Sequence, residues 1–245
     1  MAQRHDPARR RFAFALGATP MVAALAGCAV SAPPIATPAA PPTQQPPAPR
    51  VRMGDRWRYA EVNGFNGERI AEVTCEAVEV APLVRIRLTD SRGRARADEV
   101  YADPWRVVVE PFYDYPQTFE TPVPILPDIL AAGAQSRIAT AYQVPDASSR
   151  FGWQQYLDAR GWQRIRVPAG EFDALLVQRR IWFSHVDRWR IYPYRWDLAW
   201  YAPAVNRWVR REWSGEYRWA GMRRGAPLRE EWIVWELAEY APARA

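Results

Sequence analysis

From Arg56 to Leu88 the chain alternates apolar and polar residues, and a period of two commits a backbone to strands with one face dry and one face wet. Trp57 and Tyr59 alternate with Arg56 and Arg58; Ala71, Val73, Cys75 and Ala77 alternate with Glu72, Thr74 and Glu76; Val84, Ile86 and Leu88 enclose Arg85 and Arg87. Between the first two runs lies Asn63-Gly64-Phe65-Asn66-Gly67, whose two glycines supply a hairpin turn, and Ser91-Arg92-Gly93-Arg94 turns the chain again. No amphipathic helix of three turns stands out. The pattern predicts a mainly β domain over residues 51–245, a single antiparallel curved sheet or an open barrel or sandwich-like arrangement with little helix. Cys75 falls on the apolar face, where a thiol behaves as a small buried hydrophobe.

Further along, the β-branched run Val107-Val108-Val109 reads as a central strand, and Arg137–Val144 and Phe151–Leu157 carry less regular strand patterns. Pro111, Pro116, Pro122, Pro124 and Pro127 predict loops rather than sheet across that interval. Asp128–Gly133 predicts one or two helical turns stopped by Gly133.

The N-terminus is of another kind. Arg4, Arg9, Arg10 and Arg11 precede an apolar run from Phe12 to Ala26, and Leu25-Ala26-Gly27-Cys28 closes it with small residues before a cysteine. This resembles a bacterial lipobox. It implies a signal peptide over residues 1–27, lipidation of Cys28 and attachment to a membrane through N-terminal acyl groups. Ala29 after the cysteine points to the outer membrane, facing the periplasm. Arg9-Arg10-Arg11-Phe12 suits either general secretion or the twin-arginine route. The run of 15 residues is interrupted by Pro20 and is shorter than the roughly 20 needed to span a bilayer. Residues 28–50 then read as a lipidated cysteine and a disordered tether. Eight of the 21 residues from Ala29 to Pro49 are proline, enough extended chain to hold a domain up to roughly 65 Å from a bilayer.

Charge and cysteine content exclude several functions. All 33 basic residues are arginine, against 27 acidic ones; loss of residues 1–27 lowers the formal charge from +6 to +3, too little to argue for nucleic acid as a partner. With Cys28 acylated, Cys75 has no disulfide partner, and no cysteine or histidine spacing suits a metal, so neither metal nor cofactor is expected. Ser184-His185-Val186-Asp187 invites a hydrolase reading, but no Gly-x-Ser-x-Gly elbow accompanies it and adjacent positions do not make a triad. No catalytic residue is expected, and an enzyme is the minority reading.

Three passages resemble the bacterial DUF3108 family of exported, often lipid-anchored β proteins without an assigned activity. The first is Gly161–Ala174, containing Val167-Pro168-Ala169-Gly170-Glu171-Phe172; the second is Trp200–Arg210, with Ala204 and Asn206 where the family has glycine; the third is Glu236-Leu237 with Tyr240. The resemblance implies a curved antiparallel sheet of the envelope-carrier kind.

Nine of the 13 tryptophans lie between Trp182 and Trp235, mixed with arginine. Trp189, Arg190, Tyr192, Tyr194, Arg195 and Trp196 sit where Pro193 breaks the pattern, and are the candidate ligand-binding residues. Rings remove apolar surface from water while guanidinium groups take anionic heads. The expected function is non-catalytic binding of an amphiphilic envelope molecule, a lipid, glycolipid or glycan; the alternative is a structural or protein-interaction module of the envelope, whose rings hold the sheet together or meet another envelope protein.

Overall fold

The computed structural model describes residues 35–103, 105–221 and 225–243. Fourteen strands run in chain order: β1 (Ala36–Pro38), β2 (Arg56–Asn63), β3 (Arg69–Glu79), β4 (Val84–Asp90), β5 (Glu99–Asp103), β6 (Arg106–Glu110), β7 (Gln117–Pro124), β8 (Gln135–Gln143), β9 (Phe151–Val167), β10 (Gly170–Phe183), β11 (Arg190–Ala202), β12 (Arg207–Trp219), β13 (Leu228–Arg229) and β14 (Ile233–Ala241). A 3-10 turn over Pro203–Val205 is the one helical element among the described residues.

Every pairing is antiparallel, and β8 pairs with β9 to join the two ends of the sheet. Twelve strands, β2 to β12 and β14, thus close into a barrel. The mainly β, antiparallel and barrel-like part of the expectation holds, the barrel being closed rather than open, and the alternation that predicted strands explains why it is stable. A closed ring leaves its inward residues one shared core and removes free edges. The expected hairpin is β2–β3, with Trp57 opposite Cys75 and Tyr59 opposite Val73. Pro168-Ala169 joins β9 to β10, and Gly170 has φ +131°, a conformation open to glycine. Asn206 adopts a left-handed φ of +53°, which asparagine tolerates better than other non-glycine residues.

Antiparallel order puts alternate connections at opposite ends. The upper end carries the β2–β3, β4–β5, β6–β7, β8–β9 and β10–β11 loops and the path from β12 to β14; the lower end carries the remaining connections. Part of the expected tether lies against this lower end. Ala36, Thr37 and Pro38 pair with Ile165, Arg164 and Gln163 of β9. Pro49 is buried, and the Arg50 backbone N–H donates to Asn206 Oδ1 at 3.2 Å. The ordered chain therefore reaches back at least to Ile35. Cys28 and the signal segment lie outside the described residues.

Two local expectations are corrected. Gln117–Pro124 is a strand despite its prolines, because β7 pairs with β8 only at Thr118 and Phe119, and the missing proline N–H groups fall where that neighbour has departed. Asp128–Gly133 forms bends and a hydrogen-bonded turn, Ala134 N–H to the Ala131 carbonyl, rather than helix, with Gly133 at φ +81° donating its N–H to the Ala159 carbonyl.

The interior is filled by the chain itself. Trp57, Trp105, Trp153, Trp208 and Trp235 are buried among Val73, Cys75, Leu157, Ile165 and Leu237. Charged side chains are buried with them. Arg179 of β10, Asp197 of β11, Arg211 of β12 and Glu110 of β6 form a neutral quartet, each about 1% exposed or less. Arg179 Nε lies 3.0 Å from Asp197 Oδ2, and Arg211 Nη2 lies 2.7 Å from the same oxygen. Glu110 Oε1 closes the ring at 2.8 Å from Arg179 and 2.5 Å from Arg211. Burial alone would raise both carboxyl pKa values, but Arg179 and Arg211 outweigh it and hold Glu110 and Asp197 below the ordinary carboxylate range. Nearer the lower end Arg207 Nη2 donates to both Glu99 carboxylate oxygens, at 2.6 and 2.9 Å, and the guanidinium lies within 4.0 Å of the Trp208 ring centroid and 5.0 Å of that of Trp105. Guanidinium suits such places because it stacks on rings while forking onto carboxylate, which an ammonium cannot do.

Candidate functional site

The six candidate residues do not converge on one site. β11 continues through Pro193, with a register shift between Ile191 and Tyr194, and strand alternation then separates neighbours. Arg195 points inward and is buried; Tyr194 and Trp196 stay half-exposed on the outer wall. Arg195 Nε donates to Glu230 Oε2 at 2.6 Å, and its guanidinium lies 3.5 Å from the Tyr113 ring centroid and 4.4 Å from that of Phe183. Arg190 binds Asp114 Oδ2 at 2.7 Å and covers the Tyr217 ring. Trp189 stacks on Trp219 at the upper tip of the β11–β12 pair, and Tyr192, at φ +54°, is 79% exposed.

Three of the six are instead divided between two of the clefts toward the upper end, Arg195 in one and Tyr194 and Trp196 in the other. The first, of about 250 Å³, opens between the β6–β7 loop and the β12–β14 path, with Glu61, Tyr113, Asp114, Arg195, Glu230 and Glu231 in its lining. Most of its charges are spent on each other. Arg96 Nη1 and the Trp235 indole N–H lie 2.7 and 2.9 Å from Glu61 Oε2, Arg195 holds Glu230, and Arg190 holds Asp114. His185 Nε2 also faces Asp114 at 3.3 Å, while its Nδ1 accepts the Asp187 backbone N–H at 2.9 Å. Burial lowers the His185 pKa, and Arg190 acts in the same direction against the opposing carboxylate of Asp114. Ser184 is exposed, and its carbonyl accepts the Tyr142 hydroxyl at 2.7 Å. Asp187 thus meets His185 through its backbone, not as the carboxylate of a triad.

The second cleft, of about 320 Å³, lies on the outer wall. Trp196 meets Trp232 edge-on, with centroids 5.8 Å apart at 71°, and Trp232 meets Phe65 at 5.7 Å and 90°. Tyr194 extends the aromatic surface toward Trp182, 5.3 Å away, while Glu216 and Arg229 supply the polar flank. Gly64 seats the Trp232 ring, since a Cβ there would come within 2.3 Å of it. Sequence reasoning missed Phe65, Gly64 and Trp232, because they are far from Trp196 along the chain and only the pairing of β14 with both β12 and β2 unites them. Among the described residues no group of histidine, cysteine, aspartate and glutamate is arranged to hold a metal, and no helix is long and apolar enough to cross a membrane.

No protein-family model matches the chain, so the DUF3108 resemblance rests on its three passages. No curated protein matches it. Two solved structures are similar in part. One, a candidate lipoprotein of Parabacteroides distasonis, is 13% identical, with 78% of this chain and 96% of that chain covered and a TM-score of 0.45. The other, a candidate exported protein with a YmcC-like fold from Bacteroides fragilis, is 12% identical, with 78% and 97% covered and a TM-score of 0.38.

Proposed function

We propose that the chain is an exported cell-envelope protein, anchored through acylated Cys28, that acts without catalysis by binding at the outer wall and upper end of its barrel. One observation carries this reading. Among the described residues the interior is occupied by five fully buried tryptophans and the Arg179–Asp197–Arg211–Glu110 quartet, whereas Phe65, Trp182, Trp189, Tyr192 and Trp219 are exposed. A lipid carrier needs the reverse, a hollow apolar interior. Pairing of Asp114, Glu230 and His185 with neighbouring side chains supports the non-catalytic part. Organic extraction of the purified mature protein, followed by mass spectrometry, tests the reading. The acyl groups on Cys28 are expected to be the only stoichiometric lipid; a second one, released only on unfolding, overturns it.

A second reading, a protein-interaction module of the envelope, is favoured by the Trp189–Trp219 stack with Tyr192 beside it at the β11–β12 tip, outside either cleft. Cross-linking in the intact envelope from Tyr192→Cys, with a protein adduct as the expected result, tests it.

A further inference from the structure

We propose that the outer-wall cleft formed by Phe65, Tyr194, Trp196 and Trp232 is a saccharide-binding site; this rests on the reading that the barrel binds at its outside. Its size comes first. At about 320 Å³ it is a concave, small-molecule-sized site rather than a flat protein interface. Its lining comes second. Three aromatic side chains from the β2–β3 turn, from β11 and from the path into β14 meet there edge-on at 5.7 and 5.8 Å. They leave ring faces on which the C–H face of a pyranose can lie. Glu216 and Arg229, opposite each other in the β12–β13 register, stand beside the rings and match the hydroxyl edge of a sugar. The third argument is that the cleft is built. Trp232 packs where only glycine at position 64 leaves room, a Cβ there coming within 2.3 Å of the indole ring. The Trp232 indole N–H is buried and has no partner among the described residues. Position is the fourth. The cleft lies toward the upper end, whereas the chain arrives from residue 35 at the lower end, so the rings stand away from the entry point of the lipid anchor.

The test is isothermal calorimetry on the mature acylated protein in detergent micelles, titrated separately with chitotetraose, maltotetraose and phosphatidylglycerol. At least one saccharide is expected to bind in the micromolar to millimolar range. Trp196→Ala and Phe65→Ala should each weaken that binding by about tenfold or more, and Ile129→Ala, exposed at the lower end, should leave it unchanged. Phe65 is exposed on a turn, so its loss does not endanger folding, and the urea midpoint of each variant checks this. Absence of binding by both saccharides overturns the proposal, as does binding that both cleft variants retain. Phosphatidylglycerol binding that the cleft variants abolish, with no saccharide bound, also overturns it while leaving outside binding intact; failure of that broader reading is seen instead in the lipid extraction.

Discussion

Arg179 and Glu110 meet across the barrel interior, Nη2 to Oε1 at 2.8 Å, although 69 positions separate them in the chain. The contact ties β10 to β6 on the opposite wall. Removing one partner of a buried ion pair strands the other charge, at a cost of about 3–5 kcal/mol. Arg179→Ala should therefore lower the unfolding free energy by about that amount in urea denaturation. A loss below about 1 kcal/mol would mean that water enters and hydrates the quartet.

Stability should fall at both extremes of pH. Glu110 and Asp197 have folded pKa values below their unfolded ones, so the unfolded state takes up protons first as acid is added. Their contribution is complete above the ordinary carboxylate pKa of about 4 and is lost as pH falls through the folded values. Tyr142 behaves in the opposite sense. Burial pushes its hydroxyl up to about 12, and burial also raises Tyr59, Tyr113 and Tyr201. The unfolded state ionises these groups near pH 10, so stability declines above that value. Thermal melts from pH 2 to pH 11 check both limbs; a flat alkaline limb would contradict the burial of these phenols.

Gly215→Ala should be among the more damaging single-methyl additions. Its Cβ would lie 2.4 Å from Glu230 Oε2, 2.7 Å from Arg195 Cγ and 2.9 Å from the Tyr194 carbonyl oxygen, and the last is backbone that cannot rotate away. Overpacking of this kind costs about 1–3 kcal/mol. Gly170→Val tests a different cause, the φ of +131° that a β-branched residue adopts only with strain. Urea midpoints of the two variants measure both.

The two cysteines should differ completely in reactivity. Cys75 is fully buried, and burial raises its thiol pKa far above the usual value, so a thiol reagent should modify it only after denaturation. Cys28 should carry acyl mass in the mature protein, and Cys28→Ser should leave uncleaved precursor. An unmodified Cys28 at the mature N-terminus would remove the anchor from the proposed function.

The strands were legible because a barrel wall has one wet face and one dry face, which is how Trp57, Tyr59, Val73 and Cys75 stand out. Closure was not, since β8 and β9 have the same local pattern whether or not they join the ends of a sheet. The candidate site was misread at Pro193. Taken as a break, it made Arg195 and Trp196 look like neighbours in one site; as a buried residue within β11 it leaves the alternation running and sends them to opposite faces. Arg195 then belongs to the interior and Trp196 to the outer cleft. The docked part of the tether was invisible for a simpler reason. Ala36-Thr37-Pro38 has no strand pattern of its own and takes its shape from the backbone of β9.

That short pairing has a consequence for how the protein behaves alone. β9 outruns β8, which pairs with it only as far as Asp158, and β1 covers Gln163–Ile165 in the stretch beyond. A chain cut at residue 51, where the alternating pattern begins, would leave those amides and carbonyls bare along a twisted, partly apolar ribbon. Such a ribbon invites a second molecule to add its own strand. The fragment 51–245 should therefore self-associate with rising concentration in analytical ultracentrifugation, while 35–245 stays monomeric. The prolines nearest the barrel would then act as a guard against the protein's own copies as well as a spacer from the membrane.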